Sequence, residues 1–191
     1  MLAEGSIFAG KFRVLQPLGE GGMGTVYLVE QLSTHKRRAL KLMRGALAHD
    51  PEAGARFARE ARVGARISSE HVVEGVEAGV GPATSAPWLA MEHLEGETLG
   101  ARIARAGPLD APALRELMRQ LGHGLGAAHR VGLVHRDLKP ENVFLAMPRH
   151  EGVSMTVKLL DFGIAKLVEQ PAGASSPHLS MANATGACGT P

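Results

Sequence analysis

Residues 132–145 read GLVHRDLKPENVFL. Two apolar stretches, Gly132-Leu133-Val134 and Val143-Phe144-Leu145, bracket a turn that carries His135, Arg136, Asp137, Lys139, Glu141 and Asn142. Cations, carboxylates and an amide are costly to bury unless they are paired or bind a ligand. The fold must therefore hold the flanking segments in a core while bringing this turn to a partner.

The rest of the chain supplies a scaffold of two kinds. From Phe12 to Met43 the pattern alternates in short runs, FRVLQPL, TVYLVEQL and RRALKLM, which predicts three antiparallel strands around a glycine cluster. The period then lengthens: Asp50 can cap and Pro51 suits a first helical position, predicting one helix from about Pro51 to Ile67. HVVEGVEAGV and PWLAMEHL predict two more strands joined by a loop at Gly81 to Pro87. Further on, Leu114, Leu117, Met118, Leu121, Leu125 and Ala128 lie at helical spacing and form one apolar stripe. After the charged turn come a strand at Val143 to Leu145 and another in VKLLDFG. The small, polar stretch from Glu169 onward has no period and reads as a mobile loop.

With 191 residues the chain suits one domain with a core of its own. Aromatics make up only 4%, so the core is expected to lean on Ala, Val, Leu and Gly. Few rings and a formal charge of +2 argue against a nucleic-acid partner. Cys188 is the single cysteine, which excludes an intrachain disulfide and fits a reducing, cytoplasmic setting. The first residues lack a secretory pattern, and no stretch has the length of a membrane span, although a tether in a C-terminal region beyond Pro191 stays open.

LGEGGMGTV places Gly19, Gly21 and Gly24 between two strands, where backbone N–H groups can approach a phosphate unobstructed. A dinucleotide-binding turn would need a helix next, yet TVYLVEQL alternates as a strand. Taken alone, the glycines fit an ordinary hairpin turn equally well. Lys41 shares a face with Ala39 and could neutralise phosphate oxygens under that loop, with Glu60 as the carboxylate that holds it. Taken singly, these two are more commonly surface charges.

HRDLKPEN followed by DFG, with a glycine loop running through Val26, resembles the eukaryotic-like protein kinases, and the bacterial Ser/Thr branch in particular. The resemblance covers about Phe12 to Pro191. It implies an α+β, two-lobed fold: an N-terminal lobe, residues 12–93, of antiparallel sheet plus one helix, and a mainly helical, incomplete C-terminal lobe, residues 94–191. It implies ATP- and Mg2+-dependent transfer of the γ-phosphate to Ser or Thr hydroxyls of proteins, with self-phosphorylation or a homodimer as further options.

By the same resemblance, Asp137 is the catalytic base, Lys139 reaches the transferred phosphate, and Asn142 and Asp161 hold magnesium. Lys41, paired with Glu60, and the glycine loop take the other phosphates. Met91 is the gatekeeper, the backbone of Glu92 and Leu94 meets the adenine edge, and Val26, Ala39 and Phe144 sandwich the ring. DLKPEN resembles the Ser/Thr rather than the Tyr branch, with small-molecule kinases a distant alternative. Arg136 resembles the arginine that receives an activation-loop phosphate, for which Thr185 is the leading acceptor beside Ser175, Ser176 and Ser180.

Three features depart from the resemblance, the first being Arg38, which stands in RALK where a Val often sits and suits a strand near solvent. Gly64 stands where many relatives carry a larger apolar residue. The chain also stops at CGTP, ahead of the segment and helices that complete the C-terminal lobe, so the stripe from Leu114 to Leu125 is expected to face water and transfer by the isolated chain to be weak. The rival of another class is a nucleotide-binding or regulatory module without turnover; a remnant that does not fold stably is the third reading.

Overall fold

The structure, a computed structural model, describes residues 1–21, 24–43, 61, 66–81, 86–147 and 155–161. The expected helix lies largely outside these residues, as do Glu60, Gly64 and the stretch 162–191. Of that helix's expected span, Ala61 is helical and buried, whereas Arg66 lies in a turn and Ile67 in no helix, so the expected end at Ile67 is corrected.

Strands β1 (Ile7–Phe8), β2 (Phe12–Gly21), β3 (Gly24–Gln31), β4 (Lys36–Met43), β5 (Gly75–Val80) and β6 (Pro87–Glu92) form one antiparallel sheet in the order β1-β2-β3-β4-β6-β5. A second antiparallel sheet joins β7 (Gly96–Thr98), β8 (Val143–Ala146) and β9 (Thr156–Leu159). Between β7 and β8 run α1 (Leu99–Ala106), α2 (Ala111–Arg130) and a 3-10 turn, Pro140–Asn142. The five strands read from residues 12–92 are all present, although β5 starts at Gly75 rather than His71. The short β1, β7 and α1 carry too few residues to show a period, and the sequence reading did not single them out.

Register sorts the first sheet into two faces. Val26 lies opposite Lys41, Lys41 opposite Leu89, and Ala39 opposite Met91, so these side chains share one face. On the other face Tyr27 lies opposite Leu40 and Leu40 opposite Ala90, within a core completed by Phe8, Phe12, Val14, Val29 and Trp88. Phe8 and Phe12 both meet Trp88 edge to face, at 5.7 Å between ring centroids. The expectation of a ring-poor core is therefore corrected: the chain has few aromatics, but Phe8, Phe12, Tyr27 and Trp88 are gathered in this one cluster. Composition counts rings without saying where the strands will bring them.

Asp110 caps α2 by accepting a bond from the Ala113 N–H at 2.8 Å, and Thr98 does the same for α1 through Ala101. Helix α2 packs on the second sheet, where Leu117, Leu121 and Ala128 join Val143, Val157 and Leu159 in a second core. The expectation that the whole stripe faces water is corrected. Leu114 and Met118 are exposed, but the buried face is rotated from the stripe toward Gln120, Gly124 and Ala127. The reason is close approach: a Cβ at Gly124 would lie 2.8 Å from the His71 carbonyl oxygen and 2.9 Å from Leu159 Cδ1. Gln120 offsets its burial by bonding Met155, just before β9, and Val157 within it.

Gly124→Ala is accordingly expected to lower stability by about 1–3 kcal/mol through overpacking. Gly122→Ala, on the open side of the same helix, should raise it by roughly 0.5–1 kcal/mol through helix propensity. Urea unfolding of the two variants checks the contrast, and equal shifts would remove it. Among the described residues no helix is long and apolar enough to cross a membrane.

Candidate active site

The charged turn is held by backbone bonds before any ligand is considered. The 3-10 turn starts at Pro140, whose ring suits a first position, and the Asn142 N–H donates to the Lys139 carbonyl at 2.9 Å. The Asn142 side-chain amide donates to the Asp137 carbonyl at 2.8 Å and to Asp137 Oδ2 at 3.1 Å. Lys139 Nζ reaches the same Oδ2 at 3.0 Å. That bond raises the Lys139 pKa, so the side chain stays cationic.

Leu160 ties this turn to the end of β9. Its N–H donates to the Asn142 carbonyl at 2.9 Å, and its carbonyl accepts from His135 Nε2 at 2.8 Å. Burial lowers the His135 pKa, against the opposing pull of that bond, and the bond puts the neutral ring's proton on Nε2. Asp161 follows Leu160 and is thereby set beside Asn142.

Asp161 then crosses to the first sheet: Lys41 Nζ lies 2.6 Å from Asp161 Oδ2, with the lysine side chain only 11% exposed and the carboxylate 34%. Arg136 and Asp161 both have positive φ, 59° and 43°, an uncommon conformation for residues with a Cβ. Such strain clusters where surrounding structure over-determines a functional residue.

The described glycines of the cluster lie on β2 and β3, at one end of their pairing. Gly21 pairs with Gly24, Gly19 pairs with Val26, and β2 is irregular between Pro17 and Gly19. Gly24 has φ +153°, and a Cβ there would sit 2.2 Å from the Leu42 carbonyl oxygen, so only glycine fits. Next to these glycines, on the Lys41 face, lie Val26, Ala39 and Met91.

The structure thus brings together Lys41, Asp137, Lys139, Asn142 and Asp161, with the glycines and three apolar residues along the same sheet. Phe144 is half-buried on β8, two residues after Asn142. The Glu92 N–H donates to Glu74 O at 3.0 Å and is thereby engaged within the fold. The pairing of Lys41 with Glu60 falls outside the described residues.

The sequence reading missed a second charged contact. Lys158 Nζ meets Glu92 Oε1 at 2.5 Å, with both side chains buried. A signal existed: a lone lysine in the apolar run VKLL, on a strand buried from both sides, needs a counter-charge.

A profile described as "Protein kinase domain" matches residues 12–191. The chain is 41% identical over 182 residues to serine/threonine-protein kinase pkn2 of Myxococcus xanthus, covering 95% of this chain and 21% of the relative. It is 34% identical over 182 residues to serine/threonine-protein kinase PknF of Mycobacterium tuberculosis, covering 94% and 37%. The crystal structure of the Mycobacterium tuberculosis PknI kinase domain superposes with a TM-score of 0.74 at 34% identity, over 86% of this chain and 63% of that one. The chain therefore spans well under half the length of these two curated relatives.

Proposed function

The chain belongs to the protein kinase family, and from that premise we propose that its site binds ATP with Mg2+ and transfers the γ-phosphate to Ser or Thr hydroxyls of a protein. One observation carries this reading. Lys41 and Asp161, 120 positions apart, meet at 2.6 Å, and Leu160 ties Asp161 to the Asp137–Asn142 turn. That contact and that tie support a reading in which residues suited to bind phosphate lie near a carboxylate suited to take a hydroxyl proton.

The donor set suits magnesium, which takes one or two carboxylates, phosphates and waters rather than an all-protein cage. Asn142 Oδ1 and the Asp161 carboxylate would hold it, and among the described residues no cluster of three or more His, Cys, Asp or Glu offers a cage. When bound, the ion neutralises charge on the phosphates. Asp137 orients the acceptor hydroxyl and takes its proton as that oxygen bonds the γ-phosphorus and the bond to the leaving oxygen breaks. Lys139, cationic beside Asp137, and Lys41 offset negative charge on the phosphate oxygens.

Val26, Ala39 and Met91 offer an apolar wall for adenine, with Phe144 opposite and the Glu92 carbonyl and Leu94 N–H at its edge. A division into residues 12–93 and 94–191 is supported by the presence of two cores, although Val72 and Ile67 from the first span pack into the second core. Lys139 and the following Pro-Glu favour Ser/Thr over Tyr.

Titration of the purified chain with ATP, with and without Mg2+, followed by identification of the phosphorylated amino acid in a protein acceptor, tests the reading. Phosphoserine or phosphothreonine, dependent on Mg2+, is the expected result. Phosphotyrosine or phosphate on a small molecule would redirect it, and tight binding without any transfer would favour a regulatory module.

A further inference from the structure

The buried Lys158–Glu92 pair lies at the crossing between the two sheets, away from the catalytic turn. Glu92 ends β6 and starts the segment 92–95 that leads to β7. Its Oε1 meets Lys158 Nζ and also accepts from the Glu74 N–H at 2.9 Å, while its own N–H donates to Glu74 O. Segment 71–74 is in turn zipped to β9: the Leu159 N–H donates to His71 O at 2.9 Å and the Val73 N–H donates to Leu159 O at 3.0 Å. Lys158 therefore closes a ring through β6, segment 71–74 and β9. Three residues beyond Lys158 stands Asp161.

A buried ion pair is a poor source of net stability, because desolvation of both charges offsets their attraction. Its distinctive effect is geometric, since either charge left alone is strongly unfavourable. Beside this pair is a cavity of about 720 Å3, lined by Glu74, Glu92, Leu94 and Lys158 among others and by none of Lys41, Asp137, Asn142 or Asp161. The crossing segment thus has room to shift if its anchor is lost. From the pair, the ring and the cavity we infer that Lys158 and Glu92 form a latch behind the crossing. It fixes the segment 92–95 and the approach of β9, so nucleotide affinity at the front depends on a charge pair at the back. Lys158 is a positioning residue in this scheme, and its consequence for nucleotide rests on the kinase reading above.

The test measures amide hydrogen exchange of residues 88–95 and equilibrium ATP binding in the purified chain and three variants. Lys158→Met is expected to speed exchange and weaken ATP binding, each by about tenfold, a coupling of the size found for contacting residues. Lys158→Arg, which the cavity can accommodate, should recover both to within about threefold. The double variant Glu92→Gln, Lys158→Met leaves no charge buried, so it should melt close to the parent yet keep fast exchange and weak binding. A double variant that binds ATP and protects the segment as the parent does would overturn the latch, leaving the pair a packing feature only. If the parent bound no ATP while the variants still exchanged faster, the kinase reading would fall and the latch would stand.

Discussion

Asp137→Asn slows phosphate transfer by about 10^3-fold while leaving ATP affinity within about threefold of the parent, the loss typical of removing a general base. The geometry explains why the two effects separate. Asp137 Oδ2 is bound by Asn142 and Lys139 within the turn, whereas Lys41 and Asp161 pair elsewhere and keep their contact in the variant. Asparagine keeps the size of the side chain and can still accept from the Asn142 amide, so the turn should hold. What it cannot do is take a proton from a hydroxyl. Single-turnover measurement with the chain in excess over labelled ATP reads the step even from a slow parent. A variant that transfers within tenfold of the parent would show that the hydroxyl proton leaves by another route.

The second large effect is on metal dependence. In Asp161→Asn the gain in ATP affinity that Mg2+ confers should fall by about 100-fold, equal to about 2.8 kcal/mol at about 1.4 kcal/mol per decade. In chelator the sign reverses. With the carboxylate gone, Lys41 loses its partner at 2.6 Å and is released to the phosphates, and one negative charge no longer repels them. Metal-free ATP should therefore bind the variant as tightly as the parent or more tightly. Calorimetric titration in Mg2+ and in chelator reads both signs, and an unchanged Mg2+ increment would remove Asp161 from the metal site.

Much of this site could be read before any fold was known. The order of a glycine loop, a strand lysine, HRDLKPEN and DFG already named the residues, and the alternation of RRALKLM put Lys41 and Ala39 on one face, as the register of β3, β4 and β6 has it. The aromatic cluster was not legible. Phe8, Phe12 and Trp88 are distant in the chain, and β6 becomes the neighbour of β4 only because β5 is placed outside it. The stripe on α2 was half legible. Its period was visible, but the choice between Met118 and Gly124 as the inward position depended on the backbone of His71 and on Leu159.

By itself the sequence determined which residues stand near one another along the chain: the turn from His135 to Asn142 and the faces onto which alternation turns the strand side chains. These are local because backbone conformation and side-chain face are set over a few residues. Only the tertiary structure decided which charges meet across long separations, Lys41 with Asp161 and Lys158 with Glu92. Strand period gives a side chain its face but no partner. The partner follows from strand order and from how closely the two sheets approach, and burial then favours pairing each charge with an opposite one brought near it.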